Sequence, residues 1–375
     1  MSLREQFDGL VVVKVGSSTL TDESGALDRD VIADLCEQVA TLRSAGRPVI
    51  VVTSGAAAAG RERLGISERP KDIPTLQACA AAGQAALTEV YASELALRGL
   101  SCGQVLLTRR DVVEREGYLN ARNTLDRLLE LGVVPVVNEN DTVSVAEFTF
   151  GDNDMLGAVV SALVGASLYV ILSDVDGLYT ADPTTDECAE LIHEVKAVDS
   201  RVMDIAGGSS SSVGTGGMAS KVRVARAMLA AGIPMVICHG RRKNALVDAA
   251  NGATVGTRFA SDDAMTHGAG RRLWIGLAEM PHGTVVADPG ACKAVQRDGG
   301  SLLPVGVKST EGEYEAGDVV RIVDDHGVEV ARGVSRYSSD EVARIHGLKL
   351  DVVRRFLPDR DGQPVVHRDE MLVFQ

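Results

Sequence analysis

Aromatic side chains make up only 3% of this 375-residue chain, with a single tryptophan. A core short of large rings must be filled by aliphatic residues, which suits Val, Ile, Leu and Ala sheets covered by helices. Cysteine carries no pattern either: Cys36, Cys79, Cys102, Cys188, Cys238 and Cys292 are scattered, with no C-x-x-C pair. That spacing speaks against a zinc site and a disulfide framework, and predicts reduced thiols. No apolar run reaches the roughly 18 residues of a membrane-spanning helix, and the N-terminal MSLREQFDGLVVVKVG holds no export-type apolar segment. The expectation is a soluble, cytoplasmic protein. A surplus of positive charge is also missing. The formal net charge is −14, which argues against a general nucleic-acid binder. A phosphate site must then be built from a few placed lysines and backbone N–H groups.

Two phosphate fingerprints are lacking as well. The dipeptide Gly-Lys never occurs, so there is no G-x-x-x-x-G-K-[ST] loop and a Walker-type NTPase is excluded. Gly214, Gly216 and Ala219 match G-x-G-x-x-A, yet a serine run precedes them where a strand should be. No acidic residue closes a second strand at the required distance, so the dinucleotide-binding reading is weak.

What is present is alternation. GLVVVKVG, RPVIVVTSG, CGQVLLT, GVVPVVNEN, SLYVILSD and IPMVICHG are apolar runs of strand length. Between them lie the helical patterns DRDVIADLCEQVATLRSAG, PTLQACAAAGQAALTEVYASELALRG, LNARNTLDRLLELG, DNDMLGAVVSALVGA and MASKVRVARAMLAAG, several closed by glycine. Strands alternating with helices predict an α/β fold, a three-layer α-β-α sandwich around a mostly parallel sheet. Continuous hydrophobicity predicts strands buried on both faces. After about residue 270 the pattern changes. GTVVADPGACKAVQ, SLLPVGVKS and YEAGDVVRIVDDHGVEVARGVSRYSS read as short strands joined by turns, with DDHG as a hairpin signal. The expected domains are 1–265 and a small, mostly β 278–365.

Parallel sheets hold ligands at the C-terminal ends of their strands, so residues just after each strand are site candidates. They are Lys14, Gly16, Ser17 and Ser18, then Thr53, Ser54 and Gly55, then Asn138, Glu139, Asn140 and Asp141, then Ser173, Asp174 and Asp176. FGDNDM opens a helix with Asn153 and Asp154. A glycine at a strand end is ordinarily turn geometry, and an aspartate in a first helical turn is ordinarily a dipole partner. Lys14 is harder to set aside, because an ammonium inside an apolar strand must snorkel or meet an anion. The segment GGSSSSVGTGGMASK has the composition of a linker, but it runs straight into a helix and the alternation continues beyond it. Its glycines admit close approach of a phosphate, and the helix it opens favours an anion.

In combination, VVKVGSS, VTSGAAAAG, NENDT, FGDNDMLGA, LSDVDGLYTADP and TGGMASK resemble the amino-acid kinase family, and within it the glutamate 5-kinases. The C-terminal part is similar to the PUA domain that many of these enzymes append. The resemblance implies ATP-dependent phosphorylation of the γ-carboxylate of L-glutamate, the first step of proline biosynthesis. It implies Lys14, Asp154 and Lys221 as catalytic residues, and Ser54, Asn138, Asp141 and Asn153 as substrate-binding residues. Nucleotide contacts implied are Lys14, Ser173, Asp174, Thr215, Gly216, Gly217, Met218, Ala219, Ser220 and Lys221. Asp141 is expected to meet the substrate ammonium, and the amides and hydroxyl to donate to its carboxylates. Magnesium is implied as cofactor, held largely by phosphate oxygens and water, and no protein ligand is named for it. Proline as feedback inhibitor, a dimer or tetramer, and channelling to glutamyl-5-phosphate reductase are implied as well. Thr149 departs from the family, where a basic residue is common. Residues 281–365 hold 14 acidic against 11 basic residues, so RNA binding by the PUA-like domain is not expected. Two alternatives stay open: a sister kinase acting on aspartate, N-acetylglutamate, carbamate or UMP, and an RNA-binding regulator on a kinase fold.

Overall fold

The structure is a computed structural model that describes residues 9–22, 24–68, 70–108, 111–112, 115–143, 153–207, 217–260, 281–357 and 362–374. Thr149, Thr215, Gly216 and the expected domain junction at 266–277 lie outside them. The chain forms two compact units, Met1–Ala264 and Met265–Gln375.

Among the described residues the first unit is built on eight strands: β1 (Val11–Val15), β2 (Val49–Val52), β3 (Cys102–Leu107), β4 (Val134–Glu139), β5 (Leu168–Ser173), β6 (Glu194–Val195), β7 (Met235–His239) and β8 (Thr257–Phe259). Their order across the sheet is β3-β4-β2-β1-β5-β7-β8-β6. All pairs are parallel except β7 with β8. The six apolar runs of the sequence are six of these strands. The short β6 and β8 carry too few residues to show a pattern.

Alternation along β1 sorts its side chains between two faces. Val11, Val13 and Val15 join a core with the helices Arg29–Ser44, Ile73–Leu97 and Ala245–Ala250. Val12 and Lys14 point to the other face. There the helix Asn153–Val164 packs over β1, β4 and β5, flanked by the helices Arg115–Glu130 and Met218–Ala230. Three layers result. Lys14 is thereby aimed at the helix that carries Asp154, and Gly165, at φ 64°, ends that helix in the left-handed conformation glycine tolerates.

Among the described residues the second unit has five strands, β9 (Gly283–Ala287), β10 (Val307–Gly312), β11 (Val319–Val323), β12 (Glu329–Ser335) and β13 (Val366–Val373), in the order β10-β9-β11-β12-β13. The DDHG turn joins β11 to β12, with the Asp324 carboxylate accepting from the N–H groups of His326 and Val328. Two readings need correcting. PGACKAVQ is helical, because Asp288 caps Ala291 N–H and Pro289 occupies the first turn. The sheet also continues past 365 into β13, whose alternation is masked by the polar run His367–Glu370.

Candidate active site

The C-terminal ends of the parallel strands open onto one cavity of about 860 Å³. Its lining comes from both sides of β1, with the ends of β2 and β4 on one flank and the end of β5, the neighbour of β7, on the other. Strand order reverses at β1, the position where open α/β sheets hold ligands.

Lys14, Asp154 and Lys221 meet at the floor. Lys14 Nζ lies 2.6 Å from Asp154 Oδ1, and Lys221 Nζ lies 3.1 Å from Oδ2. The carboxylate has no exposure, while the lysine side chains retain 5% and 8% and line the cavity. The three arrive from three elements: a strand, the first turn of the helix Asn153–Val164, and the first turn of the helix Met218–Ala230. Tyr169, buried in β5, donates its hydroxyl to the Asp154 carbonyl at 2.8 Å. Gly157 makes that possible, since a Cβ there would overlap the tyrosine hydroxyl. One anion between two cations leaves a net positive charge facing the cavity. Each carboxylate oxygen of Asp154 lies against one ammonium group.

The β2/β4 flank is polar and closely bonded. Gly55, at φ 95°, turns the chain out of β2 into the helix Ala56–Leu64, so the alanine run of VTSGAAAAG is the start of a helix. Asn153 Nδ2 lies 2.6 Å from Thr53 O, 2.8 Å from Ser54 Oγ and 3.0 Å from Asn138 Oδ1. Ser54 accepts there and keeps its own proton to donate. Asn138 is engaged at both ends, for Oδ1 also accepts from Glu139 N–H and Nδ2 donates to Gln84. Asp141 lines the cavity too, and burial pushes its carboxyl above the usual carboxylate range.

The β5/β7 flank carries Ser173 and Asp174, with Ser173 Oγ donating to Asp174 Oδ1 at 3.0 Å. Gly217 caps the helix that brings Lys221 into the floor, with Met218, Ala219 and Ser220 in its first turn. Lys14, Ser54, Asn138, Asp141, Asn153, Ser173, Asp174 and Lys221 therefore all line one cavity.

Sequence reading passed over one cation. Arg61, on the outgoing helix after β2, also lines the cavity. Its Nη2 donates to Ser67 O at 2.7 Å, and its buried Nε has no hydrogen-bond partner among the described residues. An arginine in GRERL reads as a solvated helix face, and only the fold turns it inward. Glu139 lines the cavity as well, as the last residue of β4.

Among the described residues, no helix is long and apolar enough to cross a membrane. Residues 9–239 match the model of the amino acid kinase family, and residues 283–357 that of the PUA domain. Glutamate 5-kinases of Pelobacter propionicus and Geobacter sp. strain M21 are each 45% identical, over 97% of this chain and 97% of theirs. That of Dehalococcoides mccartyi is 42% identical over 97% of this chain and 98% of its own. The chain therefore belongs to the amino acid kinase family, in its glutamate 5-kinase branch, and carries a C-terminal PUA domain.

Proposed function

We propose that the protein transfers the γ-phosphoryl group of ATP to the γ-carboxylate of L-glutamate, giving L-glutamyl 5-phosphate and ADP at the entrance to proline biosynthesis. The observation that carries this reading is the Lys14–Asp154–Lys221 triad at the floor of a cavity with two flanks. Phosphoryl transfer asks a protein for positioning and charge neutralisation more than for covalent chemistry. A carboxylate oxygen of glutamate attacks the γ-phosphorus, the bond to the β,γ-bridging oxygen breaks, and ADP departs with that electron pair. The attacking group is already ionised at neutral pH, so no proton has to be removed. Lys14 and Lys221 stabilise charge on the moving phosphoryl group, and Asp154 fixes where their ammonium groups stand.

Glutamate lies over β2 and β4 in this reading. Asp141 pairs with its ammonium, Ser54 donates to a carboxylate, and Arg61 receives the α-carboxylate. ATP lies over β5 and β7, against Ser173, Asp174 and the segment from Thr215 to Lys221. Among the described residues, no three His, Cys, Asp or Glu side chains come together as metal ligands, and Asp154 is spanned by lysines. In this reading magnesium is carried by phosphate oxygens and water, with Asp174 the carboxylate on the nucleotide flank. Bound there, the ion would neutralise charge on the β- and γ-phosphates. Proline keeps the α-carboxylate and an ammonium but lacks the acceptor carboxylate, so it fits Asp141 and Arg61 without reacting, which accords with feedback inhibition. A cytoplasmic homo-oligomer, dimer or tetramer, that passes its labile acyl phosphate to glutamyl-5-phosphate reductase completes the reading.

The test incubates the protein with ATP, magnesium and glutamate and traps the acyl phosphate with hydroxylamine. Glutamate-dependent hydroxamate is expected. A signal from aspartate or another acceptor in place of glutamate overturns the assignment.

A further inference from the structure

Asn153 is expected from its residue type to donate to a substrate carboxylate, and its surroundings leave it the opposite role. An amide group has two protons, and three acceptors already lie within 3.0 Å of Asn153 Nδ2. Whether that nitrogen truly faces inward depends on the orientation of each amide behind it. The chain of bonds fixes every one. Thr88 donates its hydroxyl to the Gln84 carbonyl at 2.8 Å, so it stands as an acceptor toward Gln84 Nε2 at 3.3 Å. Gln84 Oε1 is then left to accept from Asn138 Nδ2 at 2.8 Å. Independently, Glu139 N–H donates to Asn138 Oδ1 at 2.9 Å, which only an oxygen can receive. Asn138 Oδ1 thus faces Asn153 as an acceptor, and so does the Thr53 carbonyl.

We propose that Gln84 is a positioning residue: through Asn138 it locks the Asn153 amide with Nδ2 inward and Oδ1 toward the cavity, as an acceptor for the substrate ammonium beside Asp141. The inference rests on glutamate as the substrate that occupies the β2/β4 flank. The helix of Gln84 presses closely on the preceding one, Ala56–Leu64. A Cβ at neighbouring Gly83 would run into the Ala56 carbonyl, and one at Gly60 into the Cys79 carbonyl. The relay therefore joins the backbone of the helix Ile73–Leu97 to the substrate-facing end of the helix Asn153–Val164.

Gln84→Met keeps length and removes the acceptor, whereas Gln84→Glu keeps an oxygen for Asn138 Nδ2. With Gln84→Met, the KM for glutamate is expected to rise about tenfold or more, the loss of one hydrogen bond to a charged group. The KM for ATP and the Tm stay near those of the parent, and Gln84→Glu restores most of the glutamate KM. Glutarate, used as a competitive inhibitor, has no ammonium, and its inhibition constant should change less than about twofold. A Gln84→Met enzyme with an unchanged glutamate KM, or one whose glutarate constant rises in parallel, overturns the proposal. Hydroxamate formation by the parent is measured alongside, and its absence refutes the substrate reading rather than the relay. The relay then answers to a crystal structure of the Gln84→Met protein: displaced Asn138 and Asn153 side chains support it, and both left in place refute it.

Discussion

Replacing Asp154 by alanine strikes the arrangement on which phosphoryl transfer depends. The carboxylate is wholly enclosed, 2.6 Å from Lys14 Nζ and 3.1 Å from Lys221 Nζ. At such separations each pair has a gross attraction of about 5–6 kcal/mol at an effective dielectric of 20, set against a desolvation penalty of several kcal/mol per ion. Removing the anion leaves two ammonium groups facing one another, and an unpaired buried charge costs about 3–5 kcal/mol. Both lysines line the cavity, so water can reach them, which holds the cost near the lower end, about 3 kcal/mol. At about 2–4 °C per kcal/mol for a domain of this size, the Tm falls by roughly 6–12 °C and the protein stays folded at 25 °C. The rate loses far more. Displacing one positioned group by about 1 Å, or removing one transition-state donor, costs on the order of a hundredfold or more. With both lysines released, kcat is expected to fall about a thousandfold or further. Asp154→Asn separates shape from charge: it keeps the volume, cannot neutralise either lysine, and should lose nearly as much. Hydroxamate formation gives kcat, and melting followed by circular dichroism gives stability. A kcat within tenfold of the parent, in a protein that melts like the parent, refutes the role of the triad.

Burial raises the carboxyl of Asp141, so the folded protein holds this proton more tightly than the unfolded chain does. Ionised Asp141 therefore costs stability at neutral pH, and that cost is relieved as the pH falls through its raised folded value. Binding moves the other way, because protonated Asp141 no longer attracts an ammonium. The glutamate KM should climb on acidification while the pH is still above the ordinary carboxylate range, and Asp141→Asn should start with a high KM that is flat over the same interval. A parent KM that is flat there counts against Asp141 as the ammonium partner. Arg61→Ala is expected to raise the glutamate KM by about 10–100-fold with little change for ATP, the loss of a charge-assisted contact. Arg61→Lys should recover only part, because the planar fork is gone, and an unchanged KM in both would remove Arg61 from the site. Gly157→Ala sets a methyl group against the buried Tyr169 hydroxyl and should cost about 1–3 kcal/mol of stability, with a fall in kcat as the Asp154 backbone shifts. A fully active, parent-like Gly157→Ala protein would show that this contact does not hold Asp154 in place.

The sequence made the strand-end positions readable because parallel strands are continuous apolar runs, and a lysine inside one of them cannot hide. Lys14 in VVVKVG could be singled out for that reason before any fold was known, whereas Asp154 in FGDNDM read alone as an ordinary first-turn carboxylate and came forward only through the family resemblance. Their meeting could not be derived from spacing, since it depends on which face of β1 the residue takes and which helix covers that face. Arg61 and Gln84 were invisible for a different reason. Both sit inside alanine-rich helices whose pattern carries no sign of which turn faces the strand ends, and the close approach that aims them comes from Gly60 and Gly83 packing on carbonyl groups. In the second unit the turn residues announced the hairpin, while β13 was lost because polar His367, Arg368, Asp369 and Glu370 interrupt its apolar run.

The placement of Lys14 on β1 also resolves an electrostatic difficulty. The proposed reaction brings a carboxylate and a triphosphate together, two anions that repel, inside a protein whose own net charge is −14. A cation on β2 or β4 would favour one partner, and a cation on β5 or β7 the other. Only the strand at which the order reverses has both flanks beside it, so a lysine there lies between the two anions. Lys221 adds its charge from the helix layer above the nucleotide flank, and Asp154 keeps the two ammonium groups from repelling each other apart. The acidic residues that line the same cavity, Glu139 as the last residue of β4 and Asp141 and Asp174 beyond the ends of β4 and β5, stand on the two flanks rather than on β1. The two ammonium groups thus stand between the acidic residues of the two flanks, and the overall acidity opposes them little, because exposed charges farther away than a Debye length of about 8 Å are largely screened by salt.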